Sequence, residues 1–198
     1  MIEQSPLYTA VASVEHRVVA IEGALDACGL HPAEFVEAQK QLIQDYWDPH
    51  NGARVVAKAW TDPAFRQQLL SNGRAAVLEL GIPMPPHHQH LVALENTPGV
   101  HNVICCTLCS CTAFTVIGLP PDWYKDLEYR ARVVRQSRTV LRDMGLELPP
   151  TTEIRVWDTT TDTRYIVLPE RPPETQGWSE ERLAALVTRD SMIGVTRL

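Results

Sequence analysis

The sequence predicts an α+β fold in which a helical N-terminal arm precedes a mixed domain. In the first part of the chain, apolar residues recur every three or four positions, which is typical of amphipathic helices. At Ile82 the composition changes to a segment rich in proline and histidine. Beyond it, short apolar runs typical of strands alternate with helical stretches. We therefore divide the chain into a helical part, residues 1–81, and a mixed part, residues 82–198.

Two helices are predicted at the start of the chain, over residues 7–28 and from Pro32 onward. Gly29 is positioned to end the first, and Pro32 suits the first position of the second because no N–H is needed there. Their apolar faces consist of Val14, Val18, Ile21, Leu25, Phe35, Leu42, Ile43 and Tyr46. An arm that packs on a partner chain explains these helices. Helices that simply cover a sheet are the open alternative.

Two further helices are predicted before residue 82. Asp48-Pro49 and Asn51-Gly52 indicate a turn, and a short helix around Val56 follows it. Asp62-Pro63 is a typical N-cap and first helical residue, so a longer helix is predicted from there to Gly81.

Four strands and two helices are predicted in the mixed part. The strands cover residues 91–94, 100–105, 154–157 and 165–168, and Asp158 to Thr163 suit a turn. Pro120-Pro121 opens a helix predicted over residues 122–144. Ser179, followed by two glutamates, is placed to cap a last helix.

Length, composition and charge indicate a globular protein and exclude several functions. The chain has 198 residues, 44% of them hydrophobic and 21% charged, and a formal net charge of −6. An acidic chain without a long Lys/Arg run is a poor candidate for binding nucleic acid or an anionic membrane. No signal peptide is evident, and no stretch approaches the roughly 20 apolar residues of a membrane span. We therefore predict a cytoplasmic protein with no nucleic-acid or membrane partner.

The cysteines are the most informative residues in the chain. Of the five, Cys28 stands alone and four lie within seven residues: Cys105, Cys106, Cys109 and Cys111. The cytoplasm keeps thiols reduced, so a clustered, odd-numbered set indicates a metal or redox site before it indicates disulfides.

The spacing Cys-x-x-Cys-x-Cys does not fit the common cysteine sites. Structural zinc usually takes four ligands from two separated pairs, and the second pair is absent here. Iron–sulfur clusters need four cysteines, usually at wider spacing. A thioredoxin-like pair has no role for the third cysteine. A loop that turns three sulfurs toward one point also brings the intervening backbone nitrogens of Ser110 and Cys111 close to it.

Segments throughout the chain match the pattern of one family. Cys106-Thr-Leu-Cys-Ser-Cys111 is followed by Gly118-Leu-Pro-Pro121 and Trp123-Tyr-Lys125. The other matching segments are Asn51-Gly-Ala-Arg54, Asp62-Pro63, Glu95-Asn-Thr-Pro98, Tyr129-Arg-Ala-Arg132, Ile154-Arg-Val-Trp157, Leu168-Pro-Glu-Arg171 and Leu186-Val-Thr-Arg-Asp-Ser191. Together they resemble the α subunit of nitrile hydratase. The γ subunit of thiocyanate hydrolase shares the cysteine motif, so the motif indicates the site better than the substrate.

The resemblance implies a layered α/β/β/α metal-binding domain with one low-spin Co(III) or Fe(III) per chain. Its ligands would be the sulfurs of Cys106, Cys109 and Cys111 and the backbone nitrogens of Ser110 and Cys111. The family oxidises the middle cysteine to a sulfinate and the last to a sulfenate, here Cys109 and Cys111. Cys109, Ser110 and Cys111 are thus the catalytic candidates, and an oxygen on Cys111 is the candidate nucleophile or base.

The resemblance also implies partners. In the family, a β-type subunit of one or two chains supplies arginines to the oxidised cysteines, and a metallochaperone or activator assists. Soft thiolates with amide anions suit a trivalent transition metal, and buried oxyanions need donors. This chain is therefore expected to be half of an active site for a small nitrile. In the family, cobalt types have Thr at the position of Thr107, which favours cobalt here. Thr112 argues the other way, because cobalt types commonly have Tyr at its position.

Three functions stay open at this point. The first is hydration of a nitrile to its amide, and Phe114, where the family usually has Trp, raises a bulky heteroaromatic nitrile as a specialised form. The second is thiocyanate hydrolysis, and the third is a non-catalytic metal or electron-transfer module. The cluster of His87, His88 and His90 predicts an exposed loop, with a weak divalent-ion site as the alternative.

Overall fold

The computed structural model describes residues 12–109 and 111–198. The start of the first predicted helix and the predicted ligand Ser110 lie outside the described residues. The chain forms two compact units, residues 1–44 and residues 45–198.

Two helices fall largely in the first unit. Helix α1 spans Val14–Ala27 and α2 spans Pro32–Tyr46. Ser13 caps α1 by accepting a hydrogen bond from the His16 N–H, and Gly29 follows the helix with φ +74°. The predicted helix end and the predicted start at Pro32 are confirmed. None of the described residues in α1 or α2 is buried, so contact of this arm with a partner stays a prediction.

The third helix corrects one prediction. Helix α3 spans Pro49–Thr61, and Asp48 caps it by accepting from the His50 N–H at 2.8 Å. The turn predicted at Asn51-Gly52 is wrong, because these residues lie inside the helix. Gly52 is required there by packing, since a Cβ at this position would lie 2.5 Å from the backbone carbonyl oxygen of Val116 and equally close to the Met192 sulfur.

The long helix predicted after Asp62 is two helices. They are α4, Pro63–Ser71, and α5, Gly73–Glu79. Asn72 separates them and caps the second by accepting from the Ala75 N–H at 3.1 Å. The break lets Gly73 pass so close to the Leu91 carbonyl that no side chain would fit.

Four strands form two parallel pairs. They are β1, His90–Glu95; β2, Val100–Cys105; β3, Glu153–Asp158; and β4, Thr163–Leu168. Strand β1 pairs with β4, and β2 pairs with β3. All four strands were predicted. Their pairing joins segments far apart in the sequence and brings Cys105 opposite Asp158.

The remaining helices complete the fold. They are α6, Phe114–Ile117; α7, Asp122–Lys125; α8, Leu127–Asp143; α9, Glu180–Ala184; and α10, Arg189–Ile193. The single helix predicted over 122–144 is divided at Asp126, which caps α8 by accepting from the Tyr129 N–H. Ser179 caps α9 as predicted. Helix α10 was not predicted.

The layers run helix, sheet, sheet, helix, which confirms the α+β prediction. Helices α4 and α5 pack on β1, α8 packs on β3, and β2 contacts β4 between them. Because α3 to α5 pack within the second unit, the compact division falls between Gln44 and Asp45. The predicted division into 1–81 and 82–198 concerns partner contact and stays a prediction. No helix in the described part of the chain is long and apolar enough to cross a membrane.

Candidate metal centre

The cysteine loop, residues 106–111, starts where two parallel strands end. Strand β2 ends at Cys105, and the adjacent β3 ends at Asp158. The next residues leave the sheet and lead to α6 at Phe114. Because parallel strands end at the same edge of a sheet, the cysteine loop and the end of β3 lie side by side at that edge.

Three of the predicted ligand residues come together in this loop. The sulfurs of Cys106, Cys109 and Cys111 all lie within 4.8 Å of one another, and none forms a disulfide. The Cys109 sulfur lies 3.4 Å from that of Cys106 and 2.9 Å from that of Cys111. Cys28 and Cys105 are not part of this group.

The sulfur spacing bears on the kind of metal that fits. At a metal–sulfur distance of about 2.3 Å, sulfurs at a right angle lie about 3.3 Å apart and sulfurs at the tetrahedral angle about 3.8 Å apart. The two short separations, 3.4 and 2.9 Å, are nearer the right-angle value. Three convergent soft donors would suit a thiophilic transition metal better than an oxygen-seeking ion such as magnesium.

Asp158 anchors the start of the loop. Its carboxylate accepts one hydrogen bond from the Thr107 N–H at 2.9 Å and another from the Thr107 hydroxyl. Within the loop, the Cys109 N–H donates to the Cys106 sulfur at 3.3 Å. These bonds fix the turn that brings the first two sulfurs together.

Helices α7 and α8 hold the rest of the loop. The buried Tyr124 hydroxyl donates to the Cys111 carbonyl at 3.1 Å. From the first turns of α8, the Arg130 guanidinium donates to the Cys109 carbonyl at 2.9 Å. The backbone on both sides of Ser110 is thus held by side chains from outside the loop.

The thiols of the loop differ in acidity. Burial alone would raise the pKa of Cys106, but hydrogen bonds from the Thr159 hydroxyl and from the Cys109 and Cys111 N–H groups bring it down to about 7. Burial and the neighbouring Cys109 raise the pKa of Cys111 to about 12. Cys106 is therefore more ready than Cys111 to ionise at neutral pH.

The loop is open on one side. Cys106 is 2% exposed, whereas Cys109 is exposed and Leu108 is 88% exposed. The face of the loop that carries Leu108 and Cys109 is therefore open to solvent.

Sequence reasoning missed the residues that hold the loop. Arg130 entered the sequence analysis only within the family-matching segment Tyr129-Arg-Ala-Arg132, and Asp158 only as the start of a turn. Nothing local marks either residue, because only the parallel pairing of β2 with β3 and the packing of α8 bring them to the cysteines.

The histidine cluster also differs from its prediction. His88 is 0% exposed, so the exposed-loop prediction is wrong at this position. Its ring lies 6.0 Å from that of Phe114, which in turn stacks on Trp47 with ring centroids 4.5 Å apart. The proline-bounded segment folds inward because His88 packs against these aromatic rings.

Comparison with known proteins establishes the family. The sequence profile described as "Nitrile hydratase, alpha chain" matches residues 12–196. The chain belongs to the nitrile hydratase α-chain family. It is 48% identical to the cobalt-containing nitrile hydratase subunit alpha of Pseudonocardia thermophila, over 90% of this chain and 88% of that one.

Other members of the family and its relatives are also close. A double mutant of the Fe-type nitrile hydratase from Comamonas testosteroni Ni1 superposes with a TM-score of 0.86 at 57% identity, covering 96% of this chain and 92% of that one. The thiocyanate hydrolase subunit gamma of Thiobacillus thioparus is 37% identical over 96% of this chain and 82% of its own length. The resemblance to both kinds of enzyme is confirmed, and relatives of both metal types lie near this chain.

Proposed function

We propose that this chain is the metal-bearing α subunit of a nitrile hydratase, which adds water to a nitrile and releases the amide. One observation carries the proposal: in a nitrile hydratase α-chain fold, the sulfurs of Cys106, Cys109 and Cys111 converge to within 4.8 Å. A non-catalytic module accounts for the sulfurs but not for the family match along residues 12–196.

The proposed ligands are the three converging sulfurs and the backbone nitrogens of Ser110 and Cys111. We favour one Co(III) per chain, supported by Thr107 and the cobalt-containing relative, with Fe(III) as the alternative because the Fe-type relative is 57% identical to this chain. The proposed oxidation states are a sulfinate at Cys109 and a sulfenate at Cys111. Exposure supports this order, since Cys109 is exposed and Cys106 is buried, and oxidation follows access.

When bound, the metal would supply Lewis-acid activation of the substrate. The sulfenate oxygen of Cys111 would act in one of two ways. It would attack the nitrile carbon as a nucleophile, or it would activate a water molecule as a base. Tyr124 supports either role by holding the Cys111 carbonyl, which fixes the backbone from which that side chain projects.

The proposal requires a partner. A β-type subunit, of one or two chains, would cover the open side of the loop and supply arginines to the oxidised sulfurs. The exposure of Leu108, Leu119 and Leu127 supports an apolar contact around the site. A metallochaperone or activator would load the metal in the cytoplasm, where the free thiols found here stay reduced.

Two narrower assignments are tested together with the main one. Thiocyanate hydrolysis is supported by the 37% identity to the thiocyanate hydrolase γ subunit. A bulky heteroaromatic nitrile is the specialised alternative suggested by Phe114. The stacking of Phe114 on Trp47 is relevant to this alternative, because Trp47 covers one face of the Phe114 ring and leaves less of that ring to contact a substrate.

The decisive experiment uses the chain co-purified with its partner. Elemental analysis should find about one cobalt or iron per chain, and peptide mass spectrometry of residues 105–111 should find two added oxygens on Cys109 and one on Cys111. The complex should hydrate nitriles, and the chain alone should not. Zinc with unmodified cysteines, or full activity without a partner, would contradict the proposal. Turnover of thiocyanate with a negligible nitrile rate would favour the thiocyanate assignment.

A further inference from the structure

We propose that Arg130 is a positioning residue that stabilises the negative charge of the Cys109–Ser110 peptide group when its nitrogen binds the metal. The inference rests on the proposed function and adds to it a cation from this chain, distinct from the arginines expected of a partner. It begins from one contact, the 2.9 Å hydrogen bond between the Arg130 guanidinium and the Cys109 carbonyl oxygen.

The carbonyl that Arg130 contacts is covalently tied to the proposed ligand. The Cys109 oxygen and the Ser110 nitrogen belong to the same peptide group, whose electrons are delocalised over oxygen, carbon and nitrogen. If the nitrogen gives its proton to solvent as the metal binds, its electron pair stays on the peptide and part of the negative charge appears on the oxygen. A guanidinium hydrogen-bonded to that oxygen then forms a charge-assisted bond, roughly twice as strong as a neutral one.

The charge of Arg130 is available for this role. Among the described residues, no carboxylate forms an ion pair with Arg130, and its Nε is buried without a hydrogen-bond partner. The nearby Arg132, by contrast, forms ion pairs with Glu128 and Asp143. A half-buried cation without a counter-ion is costly, so Arg130 is best explained by negative charge that develops beside it.

Arg138 provides a matched comparison on the same helix. Its guanidinium also donates to backbone carbonyls, those of Leu148, Pro149 and Thr152. None of these belongs to the cysteine loop, so Arg138 holds backbone without facing a metal ligand. Substitution of Arg138 therefore measures the loss of backbone contacts away from the metal ligands, and the charge itself is tested by comparing glutamine with lysine at Arg130.

The test uses the complex of the chain with its partner, expressed over a series of cobalt(II) concentrations and then of iron. Three variants are compared: Arg130→Gln, which keeps an N–H donor without charge; Arg130→Lys, which keeps the charge; and Arg138→Gln. The readouts are metal per chain, the sulfur-to-metal absorption bands of the loaded fraction, and thermal unfolding with partner binding as a check on folding.

We expect Arg130→Gln to need about tenfold more metal for half-occupancy and to shift the absorption bands. Arg130→Lys should stay within about threefold of the parent, and Arg138→Gln should lower the unfolding temperature without moving the bands.

Equal losses in Arg130→Gln and Arg130→Lys, or parent-like loading and bands in Arg130→Gln, would overturn the role of Arg130 alone. If Arg130→Gln does not fold, a loss of metal or shifted bands in a folded Arg130→Lys would overturn it. A parent complex that takes up neither cobalt nor iron would overturn the proposed function and this inference together.

Discussion

The Asp158 carboxylate accepts two hydrogen bonds from Thr107, one from the backbone N–H at 2.9 Å and one from the hydroxyl. Asp158 ends β3 opposite Cys105 at the end of β2, so it reaches the residue just past the first cysteine of the motif. A single carboxylate thereby fixes both the backbone and the side chain at the start of the loop. Loss of either bond would free the turn that places the Cys106 sulfur.

Replacing Asp158 by Asn should therefore weaken the site more than the fold. The neutral amide loses the charge that strengthens both bonds, a loss worth about 1–3 kcal/mol. We expect metal content and activity of the complex to fall about tenfold, with a smaller change in the unfolding temperature. Glu153→Gln, on the same strand, removes an exposed carboxylate that pairs with Arg155 and should change neither. Equal effects of the two substitutions would contradict a specific role for Asp158.

The cysteines of the chain allow a direct test of the ligand set. Cys109→Ala and Cys111→Ala should each abolish metal binding and activity, because each removes one of three converging sulfurs. Cys28→Ala, on an exposed helix end, should change neither metal content nor stability. Cys105→Ala should keep the metal but lower stability by about 1 kcal/mol, since it removes a buried sulfur.

Elemental analysis and turnover measurements on the four variants decide the assignment. Retained metal in the Cys109 or Cys111 variant would show that the ligand set is wrong. Loss of metal in the Cys105 variant would mean that Cys105, which lies outside the group of three sulfurs, is also needed for metal binding.

The convergence of Cys106, Cys109 and Cys111 was predictable from the sequence, whereas the residues that hold their loop were not. Three cysteines within six positions converge through local backbone geometry, so their spacing is informative by itself. Asp158 and Arg130 reach the loop through strand pairing and helix packing across the sequence. No periodicity or spacing records such contacts, because their partners are distant along the chain.

The errors in the fold have a similar cause. Asn51-Gly52 is a strong turn signal, yet Asp48-Pro49 supplies a better helix start three residues earlier, and close packing against the Val116 backbone requires the glycine. The break at Asn72 follows from the close approach of Gly73 to Leu91. In both places tertiary packing decides between two locally acceptable structures.

The close approach of Gly194 to Asn102 can be tested by adding one methyl group, as alanine does. Gly194 ends α10 with φ +92°, and a Cβ there would fall on the Asn102 carbonyl carbon and oxygen. Gly81 has a similar φ of +75° but open space around it. Gly81→Ala should therefore cost about 1–2 kcal/mol from backbone strain alone, and Gly194→Ala distinctly more. Urea unfolding of both variants measures the difference, and equal costs would contradict the steric explanation.

The buried His88 predicts how stability depends on pH. Burial, reinforced by the positive charges of Arg164, His87 and Arg74, lowers its pKa from 6.5 to about 4. The unfolded chain therefore binds a proton below about pH 6.5 that the folded chain does not bind until about pH 4. Stability contributed by neutral His88 is complete above pH 6.5 and is lost as the pH falls toward 4. Between pH 7.5 and pH 5, this single group should lower the free energy of unfolding by about 2 kcal/mol.

Comparing pH profiles of the parent and His88→Leu isolates that contribution, because all carboxylates titrate in both proteins. We expect the leucine variant to lose about 2 kcal/mol less between pH 7.5 and pH 5, whatever its stability at neutral pH. The ring nitrogens of His88 have no hydrogen-bond partner among the described residues, so the leucine variant sacrifices no such bond there. Parallel profiles for the parent and His88→Leu would mean that His88 is protonated, or reached by water, in the folded protein.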